Sequence, residues 1–140
     1  MNHQIVAALQ VRLKAFAAAQ SPVLRIAYAL TPFTPTATEI YLADHHLPAT
    51  PFNPDISIRR TRFLGIYQVD VNAPGTANPV TLRLLADAVA AHFPRNLVLQ
   101  GSAVVVRIEA VSAVGPAIPG TDRTKIPVSI RYRADRVIPA

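Results

Sequence analysis

Apolar and polar positions alternate most clearly between residues 59 and 71 of this chain. A period of two is the pattern of a β-strand, and it places one set of residues on an apolar face: Phe63, Gly65, Tyr67, Val69 and Val71. The opposite face is polar except at Leu64 and Ile66. Two adjacent bulky aliphatic side chains on a wet face are unusual, so we expect either a helix or another subunit to cover this end of the strand.

Two stretches have helical spacing. In the first, apolar residues recur three or four positions apart, at Ile5, Leu9, Leu13 and Phe16. The second begins at Asn78-Pro79, where Asn caps and Pro takes the first helical position, and its stripe runs from Leu82 to Phe93 before Pro94 stops it. Leu84 lies on the outer face of this second helix. It is either part of a surface for a partner or a single exposed leucine of the kind that is common on protein surfaces.

Further strands are predicted at residues 24–29, 39–46, 97–99, 104–110 and 128–133. Prolines and glycines between residues 115 and 122 predict a loop before the last of these strands. The element order is therefore α-β-β-β-α-β-β-β. Because each helix is apolar on one side only, we predict an α+β fold, with a mostly antiparallel (mixed) sheet of about six strands and both helices packed on one face. At 140 residues, the chain is expected to form a single domain, residues 1–140.

The segment 47–55 carries Pro48, Pro51 and Pro54 without any period. It is predicted to be either an ordered extended loop or a mobile arm. As an arm, with Phe52 among its apolar residues, it is a candidate contact element. The alternative is a simple surface crossover.

Composition narrows the class of protein. Hydrophobic residues are 51% and charged residues 16% of the chain, so either some apolar surface meets a partner or Ala and Val inflate the count. The absence of cysteine excludes disulfides and thiol catalysis. The N-terminus does not resemble a signal peptide, and no apolar stretch has the length of a membrane-spanning helix. We expect no membrane partner.

The net charge is +6, which favours contact with phosphate backbones or acidic protein surfaces. One predicted strand carries Arg59, Arg60 and Arg62, and another carries Arg131, Arg133 and Arg136. If these two strands are neighbours in the sheet, their arginines would form a basic face. Such a face could bind nucleic acid. The alternatives are a solvated face or pairing with acids of an adjoining subunit.

Catalytic and cofactor motifs are not visible. The five glycines are dispersed, so none forms a phosphate-binding loop, and the carboxylates lack the spacing of a general acid/base pair. His45 and His46 are adjacent in a strand and would point to opposite faces, which does not suit a metal site. We predict no catalytic residues, no cofactor and no metal.

Several motifs resemble one known family over nearly the whole chain. They are the Ala-rich first helix, Pro-Phe-Thr-Pro at 32–35, Glu-Ile-Tyr-Leu at 39–42, the run Arg-x-x-Gly-Ile-Tyr-Gln-Val-Asp-Val-Asn-Ala-Pro-x-Gly beginning at Arg62, and Leu85 to Pro94. Val114 to Gly120 and Ile126 to Arg133 extend the match. The chain resembles small proteins of tailed phages and prophages, similar to tail terminators and minor tail proteins.

The resemblance implies a non-enzymatic assembly protein, made in the host bacterial cytoplasm, that caps the tail tube and ends in the virion tail. Its partners would be copies of itself in a ring, expected to be hexameric although a monomer in isolation is possible, the tail-tube protein and the head-tail connector. Nucleic acid would pass through the ring or bind weakly. A cyclic ring needs two different complementary patches on each subunit, and we place candidate interface residues at Phe52, Leu64, Ile66 and Leu84. The alternative function is a basic nucleic-acid-binding module of phage origin.

Overall fold

The computed structural model describes residues 2–20, 23–36, 38–54, 56, 60–101, 104–120 and 122–137, without the side chains of Arg136 and Val137. Two helices and eight strands occur in this part of the chain. They are α1 (Asn2–Ala18), β1 (Arg25–Ala27), β2 (Tyr41–Pro48), β3 (Arg60–Pro74), α2 (Pro79–His92), β4 (Val98–Gln100), β5 (Val105–Ile108), β6 (Ala113–Val114), β7 (Ile118–Pro119) and β8 (Arg123–Val137).

The strands form one mixed sheet whose spatial order is β1-β2-β3-β8-β5-β4. Its centre is the long antiparallel pair of β3 and β8, which runs in register from Arg60 opposite Val137 to Pro74 opposite Arg123. β1 is parallel to β2, and the other pairs are antiparallel. β6 and β7 pair with β8 beyond the end of β5.

Both helices pack on the same face of the sheet, as contacts of Tyr67 indicate. The Tyr67 ring lies 6.4 Å from the ring of Phe93, the residue that ends α2. Its hydroxyl donates to Asp44 of β2, which also accepts a hydrogen bond from Gln10 of α1. The core therefore lies between this face and the apolar stripes of the two helices, and the residues predicted for the stripe of α1 are buried in it.

Local sequence explains where α2 begins. The side-chain oxygen of Asn78 accepts a hydrogen bond from the backbone N–H of Val80 at 3.0 Å, so it satisfies one of the donors that a helix start leaves open. Pro79 occupies the first helical position, where no N–H is required. The predicted start of this helix is confirmed.

The predicted α+β class and element order are confirmed, and six strands form the main path of the sheet. β6 and β7 are two-residue strands within and just before the segment 115–122, which we predicted to be a loop. β3 also extends to Pro74, past the predicted end at Val71, because β8 continues to pair with it.

Leu64 and Ile66 lie on the face of the sheet opposite the helices, which we call the open face. Their alternation with Tyr67 settles this, because neighbouring strand positions point to opposite faces and the register of β3 with β8 is continuous. Both residues are half-buried. The described helices pack on the other face, so they do not cover these two side chains.

Candidate functional site

The open face collects arginines from three neighbouring strands. Leu64 lies opposite Arg133 and Ile66 lies opposite Arg131 in the β3–β8 register. On the other side of β8, Arg107 of β5 lies opposite Arg133. The condition on which the predicted basic face depended, that the two strands are neighbours, is confirmed for the described residues.

Part of this positive charge is compensated within the chain. Arg62 donates from Nε to Oδ1 of Asp135 at 2.9 Å and from Nη2 to Oδ2 at 3.3 Å. The hydrogen bond from Arg62, together with its positive charge, lowers the pKa of the Asp135 carboxyl group. Arg131 and Arg107 are exposed, and Arg60 and Arg133 are half-buried. The open face is therefore basic, and Asp135 offsets part of its charge through the pair with Arg62.

Two of the arginines predicted for this face cannot be placed, because Arg59 and the side chain of Arg136 lie outside the described residues. Arg107 was missed. Its position in an alternating strand was visible in the sequence, but only the pairing of β5 with β8 shows that it joins the same face.

The Pro-rich segment continues the hairpin between β2 and β3. We call residues 49–54 the arm. The N–H of Ala49 donates to the carbonyl of Leu64 at 2.9 Å, and Phe52 and Arg62 exchange two backbone hydrogen bonds of 3.1 and 2.7 Å. The arm is thus an ordered extended segment, as the first of the two predicted alternatives states. The Phe52 side chain remains 45% exposed.

A groove of about 850 Å³ lies beside the outer face of α2. We call it the α2 groove. Apolar side chains line much of it, from α2, β1 and the flanking segments: Val23, Leu24, Ile40, Leu84, Leu85 and Ala88. Leu84, predicted to lie on the outer face, is 64% exposed here, and Val23 is 66% exposed. The exposed apolar side chain that the sequence indicated at Leu84 is therefore part of a concave surface.

One wall of the α2 groove is held by an ion pair. Arg25 donates to both carboxyl oxygens of Glu39 at 2.6 Å and to the carbonyl of Thr34 at 3.0 Å. The hydrogen bond from Arg25 lowers the pKa of Glu39 to about 2. Arg123 holds the same segment from the sheet side through the carbonyl oxygens of Glu39 and Thr36. These contacts hold the backbone at Thr34, Thr36 and Glu39 in place.

A buried polar network connects α1 to the sheet. Asp44 is 2% exposed, and its carboxyl oxygens accept hydrogen bonds of 2.8 Å from Gln10, from the Tyr67 hydroxyl and from the N–H of Ala29. Burial, and then the neighbouring Asp44, raises the pKa of Tyr67 above its ordinary value. The donors come from α1, from β3 and from the turn after β1, so the network holds these three parts of the chain against β2. The sequence pattern did not predict it.

The polar side chains of β2 point to opposite faces, as predicted for His45 and His46. His45 contacts Asp70 on the open face at 3.1 Å, and His46 contacts the Tyr132 hydroxyl among the buried residues. Burial lowers the pKa of His46. Ser129 lies two strands away from His45, which is about 10 Å at the usual strand spacing and too far for a nucleophile and its base. Within the described residues, no group of three or more metal-ligand side chains occurs.

The described part of the chain contains no helix long and apolar enough to cross a lipid bilayer. Three surfaces stand out in the part of the chain that the structure describes: the basic open face, the arm and the α2 groove. The open face gathers arginines from three strands, whereas the arm and the α2 groove expose apolar side chains.

Comparison with known families shows the family of the chain. The family described as phage tail terminator protein matches residues 4–132. The chain belongs to the phage tail terminator family. The match spans both helices and most of the sheet, and it includes the arm and the α2 groove, whereas Arg133 lies just beyond its end. The predicted family resemblance is confirmed.

Solved structures support the same fold. One solved structure, which carries no functional description, is 29% identical to this terminator-family chain and superposes on it with a TM-score of 0.82. The alignment covers 100% of this chain and 99% of the other. Six chains of solved structures match in all. The comparison with curated proteins gives no match.

Family motifs in this chain have structural explanations. Gly65 lies beneath the Tyr132 ring, where an added Cβ would come within 2.5 Å of the Tyr132 hydroxyl and 2.8 Å of the Leu47 carbonyl oxygen. Gly75 follows the end of β3, and its N–H donates to the carbonyl of Asp122 at 3.1 Å. These two glycines of the family motifs therefore maintain the fold, whereas other motif residues, such as Ile40 and Leu85, line the α2 groove.

Proposed function

We propose that this protein terminates tail growth by capping the tail tube as a ring and that the ring then joins the tube to the head connector. The observation that carries the proposal is the family match over residues 4–132, together with two different apolar contact surfaces on one chain. A closed ring needs two different complementary patches on each subunit. The arm, with Phe52, and the α2 groove, with Leu84, meet that requirement.

The ring is proposed to be hexameric, and isolated chains to be monomers that assemble on the tube. Leu64 and Ile66 are half-buried on the open face, so a neighbouring subunit or the tube protein would complete their burial. Burying two such side chains favours association by roughly 1 kcal/mol or more for each. In this proposal the protein has no catalytic activity, is made in the host cytoplasm and becomes part of the virion tail.

Deleting the gene from an inducible phage tests the role. Electron microscopy should reveal tails of uncontrolled length without attached heads, because nothing stops the tube or prepares its end for the connector. Complementation with the wild-type gene should restore a single tail length. Tails of normal length and full head attachment in the deletion strain would refute the proposed function.

A second function is favoured by one observation, the arginines gathered on the open face. As a nucleic-acid-binding surface, it would contact phosphates, and affinity would fall steeply with salt because binding releases counterions. Replacing the exposed Arg131 and Arg107 with Gln should lower both the affinity and the salt slope, by about one unit of slope for each phosphate that the protein no longer neutralises.

Lys14→Gln is the matched control, since Lys14 is exposed on α1 and lies away from the open face. Binding that is absent, insensitive to salt or equally weakened by Lys14→Gln would remove the nucleic-acid function and leave the tail terminator as the remaining proposal.

A further inference from the structure

The arm and the α2 groove lie near opposite ends of the β2–β3 hairpin. Phe52 pairs with Arg62, near the start of β3. Tyr41, which follows the groove residue Ile40, pairs with Asn72 near the end of the same strand. The ten residues that separate Arg62 from Asn72 in an extended strand span about 33 Å. The arm of one chain is therefore too distant to fill the groove of that chain.

The arm has the composition of a segment that enters an apolar surface. Residues 47–54 carry no charged side chain, and Pro51 and Pro54 have no backbone N–H that would lose its water on burial. Backbone hydrogen bonds to β3 already fix the position of Phe52. A segment that is ordered in advance loses less conformational entropy when it binds.

The α2 groove is complementary to such a segment. Its centre is apolar, and threonines contribute to its lining: Thr34, Thr36, Thr38 and Thr81. Their hydroxyl groups can donate to the backbone carbonyls that the arm leaves exposed. The charged side chains that line the groove, Arg25 and Glu39, neutralise each other. An uncharged segment therefore fits better than an acidic or basic one.

We propose that the arm of one copy docks in the α2 groove of the next, with Phe52 against Leu84, and that this head-to-tail contact closes the ring. The inference rests on the proposed function and adds which surfaces meet. A second copy is the preferred occupant because each chain itself carries the uncharged, proline-rich segment that matches the apolar lining of the groove. The net charge of +6 on each chain opposes association, and a contact between these two uncharged surfaces adds the least to that repulsion. A contact between two different patches also propagates around a ring.

Cysteine cross-linking tests the contact directly, because the chain has no cysteine of its own. Phe52→Cys and Leu84→Cys proteins are prepared separately, mixed with wild-type tube protein and treated with a short bifunctional thiol reagent. Both positions are exposed, so folding should be unaffected. We expect the mixture to give several-fold more cross-linked dimer than either variant alone.

The matched control mixes Phe52→Cys with Val11→Cys. Val11 is 70% exposed on α1 and does not line the α2 groove. Equal dimer yields in the two mixtures would overturn the docking. The double variant Phe52→Asp, Leu84→Cys provides a second test. Its introduced thiol should react faster on tubes than that of Leu84→Cys with an intact arm. If the two thiols are equally protected, the arm does not fill the groove and the docking is also overturned.

Tube capping is measured in parallel, as the length of tubes mixed with the wild-type form of this protein. This measurement separates the inference from the proposed function. Capped tubes with unselective cross-linking leave the terminator role standing and refute the arm-groove contact. Uncapped tubes with selective cross-linking refute the terminator role and leave the arm-groove contact standing. Uncapped tubes with unselective cross-linking refute both.

Discussion

Replacing Asp44 with Ala should destabilise the protein by an amount that its hydrogen bonds define. The Tyr67 hydroxyl is fully buried, so leaving it without an acceptor costs about 1–3 kcal/mol. The donors on Gln10 and Ala29 belong to residues that water can reach, and removing each of these bonds costs about 0.5–1.5 kcal/mol. We therefore expect a loss of roughly 2–6 kcal/mol in the free energy of unfolding.

Urea denaturation of four proteins isolates the largest part of this loss: wild type, Asp44→Ala, Tyr67→Phe and the double variant. In the wild-type background, Tyr67→Phe removes one hydrogen bond and should cost about 1 kcal/mol. In the Asp44→Ala background, it removes a hydroxyl that already lacks its acceptor, so it should be neutral or stabilising. The coupling between the two substitutions should be about 1–3 kcal/mol.

Asp87→Ala is the control, because Asp87 is exposed on α2. It should change the free energy of unfolding by less than about 0.5 kcal/mol. If Tyr67→Phe costs the same in both backgrounds, the two side chains are not coupled and the account of the buried network is wrong.

Two further predictions concern stability. Gly65→Ala should cost about 1–3 kcal/mol, because its Cβ would meet the Tyr132 hydroxyl at 2.5 Å, whereas Gly75→Ala, with its nearest contact at 3.7 Å, should be close to neutral in the same denaturation assay; equal effects would contradict this packing. The Glu39 pKa of about 2 lies below its ordinary value of 4.5, so the stability from its pair with Arg25 is complete above pH 4.5 and is lost as the pH falls towards 2. Thermal melts across this range should therefore depend less on pH in Glu39→Gln than in wild type, and parallel profiles would refute the assignment.

The sequence predicted those parts of the fold that depend on neighbouring residues. The period of the stripe in α1 and the Asn78-Pro79 start of α2 reflect local geometry, so both appear where expected. Leu84 was placed correctly on the outer face for the same reason. The order of the elements follows from these local patterns together with the alternation of the strands.

The features that the sequence did not predict arise from contacts between distant parts of the chain. β6 and β7 exist because the edge of β8 beyond β5 is available for pairing, although prolines and glycines in their segment indicated a loop. The network around Asp44 and the α2 groove each combine residues from distant parts of the chain. No local period connects such residues, so only the folded arrangement reveals them.

The mode of tube capping gives the most direct test of the central claim. Tubes of several lengths are grown from the tail-tube protein, this protein is added with a fluorescent label, and the number of bound copies per tube is counted. A cap binds at the tube end, so the account predicts a constant number per tube, whatever its length, together with an end to growth. A number that rises in proportion to length, with growth continuing, would contradict the account.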